Sequence, residues 1–78
     1  MKHLQVYITE DCWTCQEAVR IVEEMQGEFP DADIELLDME DPSRPEEVFA
    51  APTYVLDGQV ISLGNPRRET LRHHLETV

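Results

Sequence analysis

The sequence predicts an α/β fold in which helices pack on the faces of a four-stranded mixed β-sheet. An apolar, β-branched segment is followed by a helical pattern and then by a second such segment, which is typical of a parallel strand-helix-strand unit. Further along, Asp57-Gly58 separates two short apolar segments. With 78 residues, of which 20 are Leu, Ile, Val or Phe, the chain has room for one modest core. Residues 1–78 are therefore expected to form a single domain.

The first strand and helix are predicted over residues 4–9 and from about residue 12 to residue 26. Residues 4–9 are rich in β-branched and aromatic types and partly alternate in polarity. Asp11 is the expected N-cap of the helix and Gly27 its expected C-terminal cap. Apolar residues recur at helical spacing and predict its buried face: Ala18, Val22, Met25 and Phe29.

A second strand is predicted over residues 33–39, which are bounded by turn-forming residues and too few for another long helix. Residues 40–47 contain Pro42 and Pro45, which permit at most one or two helical turns. A short helix and an irregular loop both remain open for this segment. The predicted element order is β-α-β-(short α)-β-β-α.

Two further strands and a last helix complete the prediction. Residues 53–56 and 59–62 flank Asp57-Gly58, a dipeptide that suits a type I′ turn, so they should pair as an antiparallel hairpin. Asn65 is the expected N-cap of the last helix, with Pro66 at its first position. The buried face of that helix is predicted to comprise Leu71, Leu75 and Val78.

The net charge of -11 excludes classes of partner and is unevenly distributed. Binding to nucleic acid or to an acidic membrane surface requires clustered Lys and Arg, whereas this chain has 17 acidic and 6 basic residues. Residues 1–47 hold 14 of the acidic residues and 3 basic ones, whereas residues 48–78 hold 3 of each. We expect the acidic half to favour basic partner surfaces.

Cysteine usage and hydropathy indicate a cytosolic protein. No apolar run approaches the length of about 18 residues that a membrane span needs, and the first five residues lack the apolar stretch of a signal peptide. A secreted domain of this size would carry several disulfides. The two cysteines here are three residues apart and cannot close a useful loop, so they are expected to serve chemistry or metal binding.

The motif Cys12-Trp13-Thr14-Cys15 lies where the first strand ends and the first helix begins. Unpaired N–H groups and the positive end of the helix dipole would stabilise a thiolate on Cys12 there. Cys15 lies one helical turn on, close enough to attack a mixed disulfide formed by Cys12. The spacing thus predicts a thiol-disulfide exchange centre in which Cys12 attacks the substrate and Cys15 resolves the mixed disulfide.

Cys-x-x-Cys is also half of many zinc or iron-sulfur sites, so metal binding is the alternative hypothesis. The other candidate ligands are His3, His73 and His74, and the last two are adjacent and would splay on a helix. These residues do not make the four-ligand set of a structural zinc site. The alternative hypothesis is therefore an adaptor, or a module in which the two thiols hold a soft ion such as Cu(I) or Zn(II). No metal site is assigned.

The chain resembles the thioredoxin and glutaredoxin superfamily over essentially its whole length. The matching features are the strand before Cys12, the dithiol at a helix start, and Ala51-Pro52-Thr53 opening the hairpin. The resemblance implies that Cys12 is the nucleophile, Cys15 the resolver and Pro52 a cis-proline beside them. It implies substrate contacts along Ala51, Pro52 and Thr53, with the backbone of Ala51 docking the substrate main chain. Trp13 cannot easily be buried beside the thiol, so contact with substrate is favoured over a place in the core. Disulfides of proteins or of small molecules are the expected substrates, disulfide-containing proteins are the expected partners, and the redox-active Cys12-Cys15 disulfide is expected to act without a further cofactor.

The chain also departs from this superfamily. Thioredoxins typically carry an acidic residue six positions before the nucleophile, where this chain has Val6, so the group that deprotonates Cys15 is unassigned. Glutaredoxins typically place a Lys upstream of the first cysteine and a Gly-Gly plus an acidic pair before the last helix. Here the sequence reads Thr9-Glu10-Asp11 and Gly64-Asn65-Pro66. Reduction by a reductase or another dithiol protein is therefore favoured over reduction by glutathione. A monomer is expected.

Two charged pairs near the site have alternative interpretations. Glu10 and Asp11 would oppose a thiolate on Cys12, although Asp11 is also the expected N-cap. Arg67 and Arg68 open the last helix and are interpreted as a solvated face, with binding of an acidic partner as the alternative.

Overall fold

The computed structural model describes residues 2–76. Four strands and two helices make up the regular structure of this range. In chain order they are β1 (His3–Ile8), α1 (Trp13–Glu28), β2 (Asp33–Asp38), β3 (Thr53–Leu56), β4 (Gln59–Leu63) and α2 (Arg68–Glu76). The strands form one mixed sheet in the order β2-β1-β3-β4. The predicted α/β class and mixed four-stranded sheet are confirmed.

Strand β1 lies inside the sheet and sets the position of the site. It pairs in parallel with β2 and antiparallel with β3, and β3 pairs antiparallel with β4. Since β1 and β2 are parallel, their carboxyl ends meet at one edge, where the amide of Met39 donates to the carbonyl of Ile8 at 2.9 Å. The segment that contains the cysteines leaves β1 at this edge.

The main core lies between one face of the sheet and the two helices. Alternate residues of β1 point into it, as the period of a strand requires. The α1 residues Ala18, Val22 and Met25 are buried as predicted, and Leu71 and Leu75 of α2 are buried too. Val78, the third residue predicted for that face, lies outside the described residues. The members of this core are Leu4, Val6, Ala18, Ile21, Val22, Met25, Ile34, Tyr54, Leu56, Leu71 and Leu75.

The β3-β4 hairpin has the turn that its sequence predicts. Asp57 and Gly58 have φ values of 49° and 86°, both in the left-handed region that a type I′ turn requires at its two central positions. The register shifts between Tyr54 and Val55, so β4 carries a bulge.

The opposite face of the sheet carries a second, smaller apolar cluster. It comprises Tyr7, Val48 and Val55, with Leu37 and Met39 packed against them. Tyr7 is fully buried, as expected of a residue that packs against the sheet, and its hydroxyl has no hydrogen-bond partner among residues 2–76.

The short helix considered for residues 40–47 is absent from the described structure. This segment instead forms successive turns, in which Asp41, Arg44 and Val48 donate backbone N–H groups to carbonyls three residues earlier. Pro42 and Pro45 have no N–H to donate, so a regular helical ladder cannot form through them. The Arg44 guanidinium donates to the carbonyl of Val48 and closes the loop over the smaller cluster.

The ends of α1 differ from prediction. Cys12, not Asp11, is the N-cap: it has extended backbone angles, and its sulfur accepts from the amide of Cys15. Asp11 has φ of 56° and cannot take the extended conformation that an N-cap needs. At the other end, Gly27 lies inside the helix and Phe29 is the C-cap.

Helix α2 begins at Arg68, two residues later than predicted. Asn65 is not its N-cap, because its side-chain amide is bonded instead to Tyr54 and Thr14. Between Lys2 and Glu76 no helix combines the length and the apolarity that crossing a bilayer requires.

Candidate active site

The two cysteines form a disulfide at the start of α1. Their Cα atoms lie 5.1 Å apart. Cys12 is partly exposed, whereas Cys15 is only 3% exposed and packs under the first turn of the helix. A molecule approaching the dithiol therefore meets the Cys12 sulfur first.

The Cys12 sulfur lies in a field of hydrogen-bond donors. The amide of Cys15 donates to it at 3.1 Å, and the hydroxyl of Thr14 lies 3.6 Å from it. These donors and the N-terminal end of the 16-residue helix α1 would stabilise negative charge on this sulfur once the disulfide is reduced. The arrangement therefore suits a leaving or attacking thiolate at Cys12.

The loop before β3 contains a cis peptide bond between Ala51 and Pro52, as the superfamily resemblance implies. Ala51 is partly buried and Pro52 is buried. Thr53 is fully buried, and its hydroxyl donates to the carbonyl of Ala50. The Pro52 carbonyl accepts from the amide of Gly64 at 2.8 Å.

Asn65 joins this loop region to the dithiol. Its Nδ2 donates to the carbonyl of Thr14 at 2.8 Å, and its Oδ1 accepts from the hydroxyl of Tyr54 at 2.9 Å. Sequence reasoning missed this role because the two cysteines are 50 or more residues from Asn65, and an Asn followed by Pro is a typical helix start.

A groove of about 230 Å³ runs beside the disulfide and is lined by both cysteines. Its other ionisable lining residues are Glu10 and Asp11, and no Lys or Arg lines it. Val6, at the position where thioredoxins typically carry an acid, is fully buried in the core. The carboxylates that line the groove thus lie on the solvent side of the dithiol, whereas the buried position that is typically acidic in thioredoxins is apolar here.

Two aromatic side chains are exposed around the site. Trp13 is 85% exposed and does not join the core, and its contact with substrate stays a prediction. Phe49, three residues before Pro52, is 73% exposed and was not singled out from the sequence. From the sequence, a Phe next to a Val is expected in the core. The structure buries Val48 and exposes Phe49, and this difference follows from the path of the loop.

The Arg68 side chain is 36% exposed and already paired with carboxylates of this chain. Its guanidinium donates to Glu24 at 2.7 Å and to Glu17 at 2.9 Å, both on α1. The hydrogen bonds from Arg68 lower the pKa of Glu24. Arg68 therefore gives no support to the acidic-partner alternative, whereas the solvated-face interpretation agrees with the exposure of Arg67.

The metal-binding alternative gains no support from the donor set. Within residues 2–76 the structure brings together no group of three or more His, Cys, Asp or Glu side chains that could hold a metal ion. The two sulfurs are bonded to each other.

A partly exposed and a buried cysteine, paired at a helix N-terminus on a four-stranded α/β scaffold, define the class of thiol-disulfide oxidoreductases. Among curated proteins, the chain is 36% identical over 72 residues to a thioredoxin of Methanocaldococcus jannaschii, with 87% of this chain and 85% of the relative covered. The chain belongs to the thioredoxin family, and its activity is that of a protein disulfide oxidoreductase.

Solved thioredoxin structures share the fold. Oxidised mitochondrial thioredoxin 3 of Saccharomyces cerevisiae superimposes with a TM-score of 0.78 at 24% identity, covering 99% of this chain and 78% of that one. Fasciola hepatica thioredoxin gives a TM-score of 0.76 at 22% identity, covering 95% and 77%. A scan against protein-family models gives no match.

Proposed function

We propose that the chain reduces protein disulfides with Cys12 as nucleophile and Cys15 as resolver, and that a flavoprotein reductase or another dithiol protein returns the electrons. The observation that carries this proposal is the exposure difference between the two bonded cysteines at the start of α1. The accessible sulfur can reach a substrate, while the buried one reaches only its neighbour.

Each turnover moves two electrons. The Cys12 thiolate attacks one sulfur of the substrate disulfide, the substrate S–S bond breaks, and the other substrate sulfur leaves as a thiolate. The Cys15 thiolate then attacks the Cys12 sulfur and displaces the first substrate sulfur, which forms the Cys12-Cys15 disulfide. The substrate thiolates take up protons, and the donor dithiol reverses the sequence to regenerate the reduced protein.

Substrate contacts are proposed on both sides of the dithiol. Trp13 offers an exposed apolar surface beside Cys12, and the loop through Ala51, Pro52 and Thr53 leads to β3. The backbone of Ala51 is the proposed dock for an extended substrate segment, by resemblance to the superfamily. The exposed ring of Phe49 extends this apolar surface.

Two features weigh against glutathione as the electron donor. Glu10 and Asp11 line the groove beside the cysteines, and glutathione itself carries carboxylates at neutral pH. The loop before α2 has few free donors, because the backbone amide of Gly64 donates to Pro52, the side-chain amide of Asn65 donates to Thr14, and Pro66 has no N–H.

We further propose a cytosolic monomer with no resident cofactor. Two cysteines in a chain of 78 residues fit a reducing compartment, where thiols stay available for exchange. A dithiol stores two electrons without any bound group.

Insulin-disulfide reduction with dithiothreitol as electron source tests the proposal. We expect Cys12→Ser to abolish the stimulation over dithiothreitol alone, because no nucleophile reaches the substrate. With dithiothreitol removed beforehand, reduced Cys15→Ser should instead accumulate a covalent mixed disulfide with insulin through Cys12, visible by non-reducing gel and mass spectrometry. Equal activity of wild type and Cys12→Ser would rule the assignment out. Rapid reduction of the oxidised protein by glutathione alone would overturn the proposed electron donor.

A further inference from the structure

Asn65 connects two parts of the dithiol site through one side chain. Its amide nitrogen lies 2.8 Å from the carbonyl oxygen of Thr14, and its amide oxygen lies 2.9 Å from the hydroxyl of Tyr54. Thr14 stands between the two cysteines, and Tyr54 stands two residues after Pro52. Asn65 thus ties the turn that holds the sulfurs to the strand that follows the cis-proline.

The direction of these hydrogen bonds is fixed by chemistry. A carbonyl oxygen only accepts, so the amide must present its N–H group to Thr14, and its oxygen is left to face Tyr54. Tyr54 must then donate, which requires a protonated hydroxyl. Burial raises the pKa of Tyr54 far above its ordinary value, so the phenol keeps its proton at any physiological pH.

Asn65 is itself held from both sides along the chain. The preceding residue, Gly64, donates its amide to Pro52 at 2.8 Å, and its carbonyl accepts from the hydroxyl of Ser62 at 2.8 Å. Three residues later, Arg68 is bonded to α1 through Glu24. A side chain anchored in this way holds its partner with little further loss of conformational freedom.

The carbonyl that Asn65 holds belongs to the turn that sets the geometry of the two sulfurs. In that turn the Cys15 amide lies 3.1 Å from the Cys12 sulfur, and Cys15 is almost fully buried. Attack by Cys12 on an outside disulfide depends on the approach of the substrate. Once Cys15 is deprotonated, its attack on Cys12 depends on the shape of this turn and not on the approach of a further molecule.

We propose that Asn65 is a positioning residue for resolution of the mixed disulfide. In that step the Cys15 thiolate attacks the Cys12 sulfur, the bond from Cys12 to the partner sulfur breaks, and the electron pair leaves with the partner as a thiolate. Asn65 keeps the Thr14 carbonyl, and with it the backbone between the cysteines, in the orientation that aims Cys15 at Cys12. This inference rests on the proposed roles of Cys12 and Cys15.

The two steps can be timed separately with a symmetrical aromatic disulfide whose thiolate product is coloured. Reduced protein releases a first coloured thiolate when Cys12 attacks and a second when Cys15 resolves the mixed disulfide. We expect Asn65→Ala to lower the rate constant of the second release by about fivefold, which is the factor that corresponds to the net contribution of one hydrogen bond. The rate constant of the first release should be unchanged. Tyr54→Phe, which keeps the buried ring, should slow the second release in the same direction.

Gln26→Ala is the matched control. Gln26 also donates its side-chain amide to a backbone carbonyl, that of Ile34 at 2.9 Å, but from the end of α1 remote from the cysteines. It should lower the urea midpoint of unfolding as Asn65→Ala does, without changing either release. The double variant Asn65→Ala, Tyr54→Phe should be no slower than Asn65→Ala, because both remove the same link.

Three outcomes would overturn the inference. They are an unchanged second release in Asn65→Ala, an equal slowing of both releases, and a slowing by Gln26→Ala that matches that by Asn65→Ala. If Asn65→Ala fails to fold, the comparison of Tyr54→Phe with Gln26→Ala decides in the same way. Failure of the proposed function has a different signature, since wild type would then release no coloured thiolate, or only the first.

Discussion

Asp11 acts on the dithiol through its charge and not as a helix cap. The N-cap of α1 is Cys12, whose own sulfur accepts the Cys15 amide, and Asp11 precedes it in a left-handed conformation. The Asp11 carboxylate is exposed in the groove that both cysteines line. It therefore opposes the stabilisation that the helix terminus gives to a Cys12 thiolate.

Asp11→Asn should lower the pKa of the reduced Cys12 thiol by about half a unit, because it removes a negative charge from the solvent-exposed groove that both cysteines line. Asn tolerates the left-handed backbone as Asp does, so the loop should be preserved. The pH dependence of alkylation by iodoacetamide in a Cys15→Ser background measures the thiolate fraction. A thiol with a lower pKa is also a better leaving group, so the Asn variant should be the stronger oxidant.

Asp31→Asn is the control for this substitution. Asp31 is exposed in the turn between α1 and β2, at the end of the helix opposite the cysteines. Asp31→Asn changes the net charge by the same amount and should leave the pH dependence of alkylation unchanged. An unchanged profile for Asp11→Asn as well would show that its carboxylate does not influence the thiol.

At the scale of elements, three ion pairs hold α2 against α1. Arg68 bonds Glu17 and Glu24, and Arg72 bonds Glu28 at 2.7 Å. Since Glu24 faces Arg68 and Glu28 faces Arg72 four residues on, the two helices run in the same direction along this seam. The hydrogen bonds from their arginines lower the pKa of both Glu24 and Glu28.

This seam should make stability depend on acid pH. A carboxyl whose pKa is lower in the folded state stabilises the fold above its ordinary value of 4.5, and the contribution is lost as pH falls through the lowered pKa. We expect the urea midpoint to fall between about pH 7 and about pH 3, and to fall less in Arg68→Met. Some decrease should persist in the variant, because Ser43 also lowers the pKa of Asp41. Measurements should avoid the region of the isoelectric point near 4.4.

Arg67→Met serves as the matched control, since it removes a neighbouring, exposed cation and leaves the seam in place. Its urea midpoint should change with pH as that of wild type does. Parallel pH profiles for wild type and Arg68→Met would mean that the ion pairs of Arg68 contribute nothing measurable.

The elements that the sequence predicted well are those whose signals are local. The β3-β4 hairpin follows from Asp57-Gly58, and the buried face of α1 follows from its period. The dithiol was predicted because its residues are adjacent in the chain. The start of α2 was not predicted correctly, because the side chain of Asn65 is hydrogen-bonded to Tyr54 and to a carbonyl 51 residues away in the chain. The pairing of Glu24 with Arg68, 44 residues apart, was hidden for the same reason.

At the scale of the whole molecule, the structure refines the uneven charge of the sequence. Three carboxylates of the acidic half, Glu17, Glu24 and Glu28, pair with two cations of the other half, Arg68 and Arg72, and are thus partly neutralised. The rest of the acidic excess lies in other segments. Residues 9–11 follow β1 and line the groove beside the dithiol, and residues 38–41 lie at the end of β2, which adjoins the end of β1 at the same edge of the sheet. Part of the acidic excess thus lies at the edge of the sheet that carries the dithiol.

Such a field should attract a basic partner and should weaken with salt. For a peptide disulfide flanked by lysines, we expect the rate constant of the first exchange step to fall about tenfold as ionic strength rises from about 0.01 M to about 1 M, where the screening length shrinks from about 30 Å to about 3 Å. The same peptide with glutamates should react faster as salt rises. The variant Glu10→Gln, Asp11→Asn should show a shallower salt dependence, because both residues line the groove beside the cysteines. Asp31→Asn, Glu76→Gln removes as much charge at the far end and should keep the wild-type slope. Equal slopes in these two variants would show that net charge, and not its position at the dithiol, sets the rate.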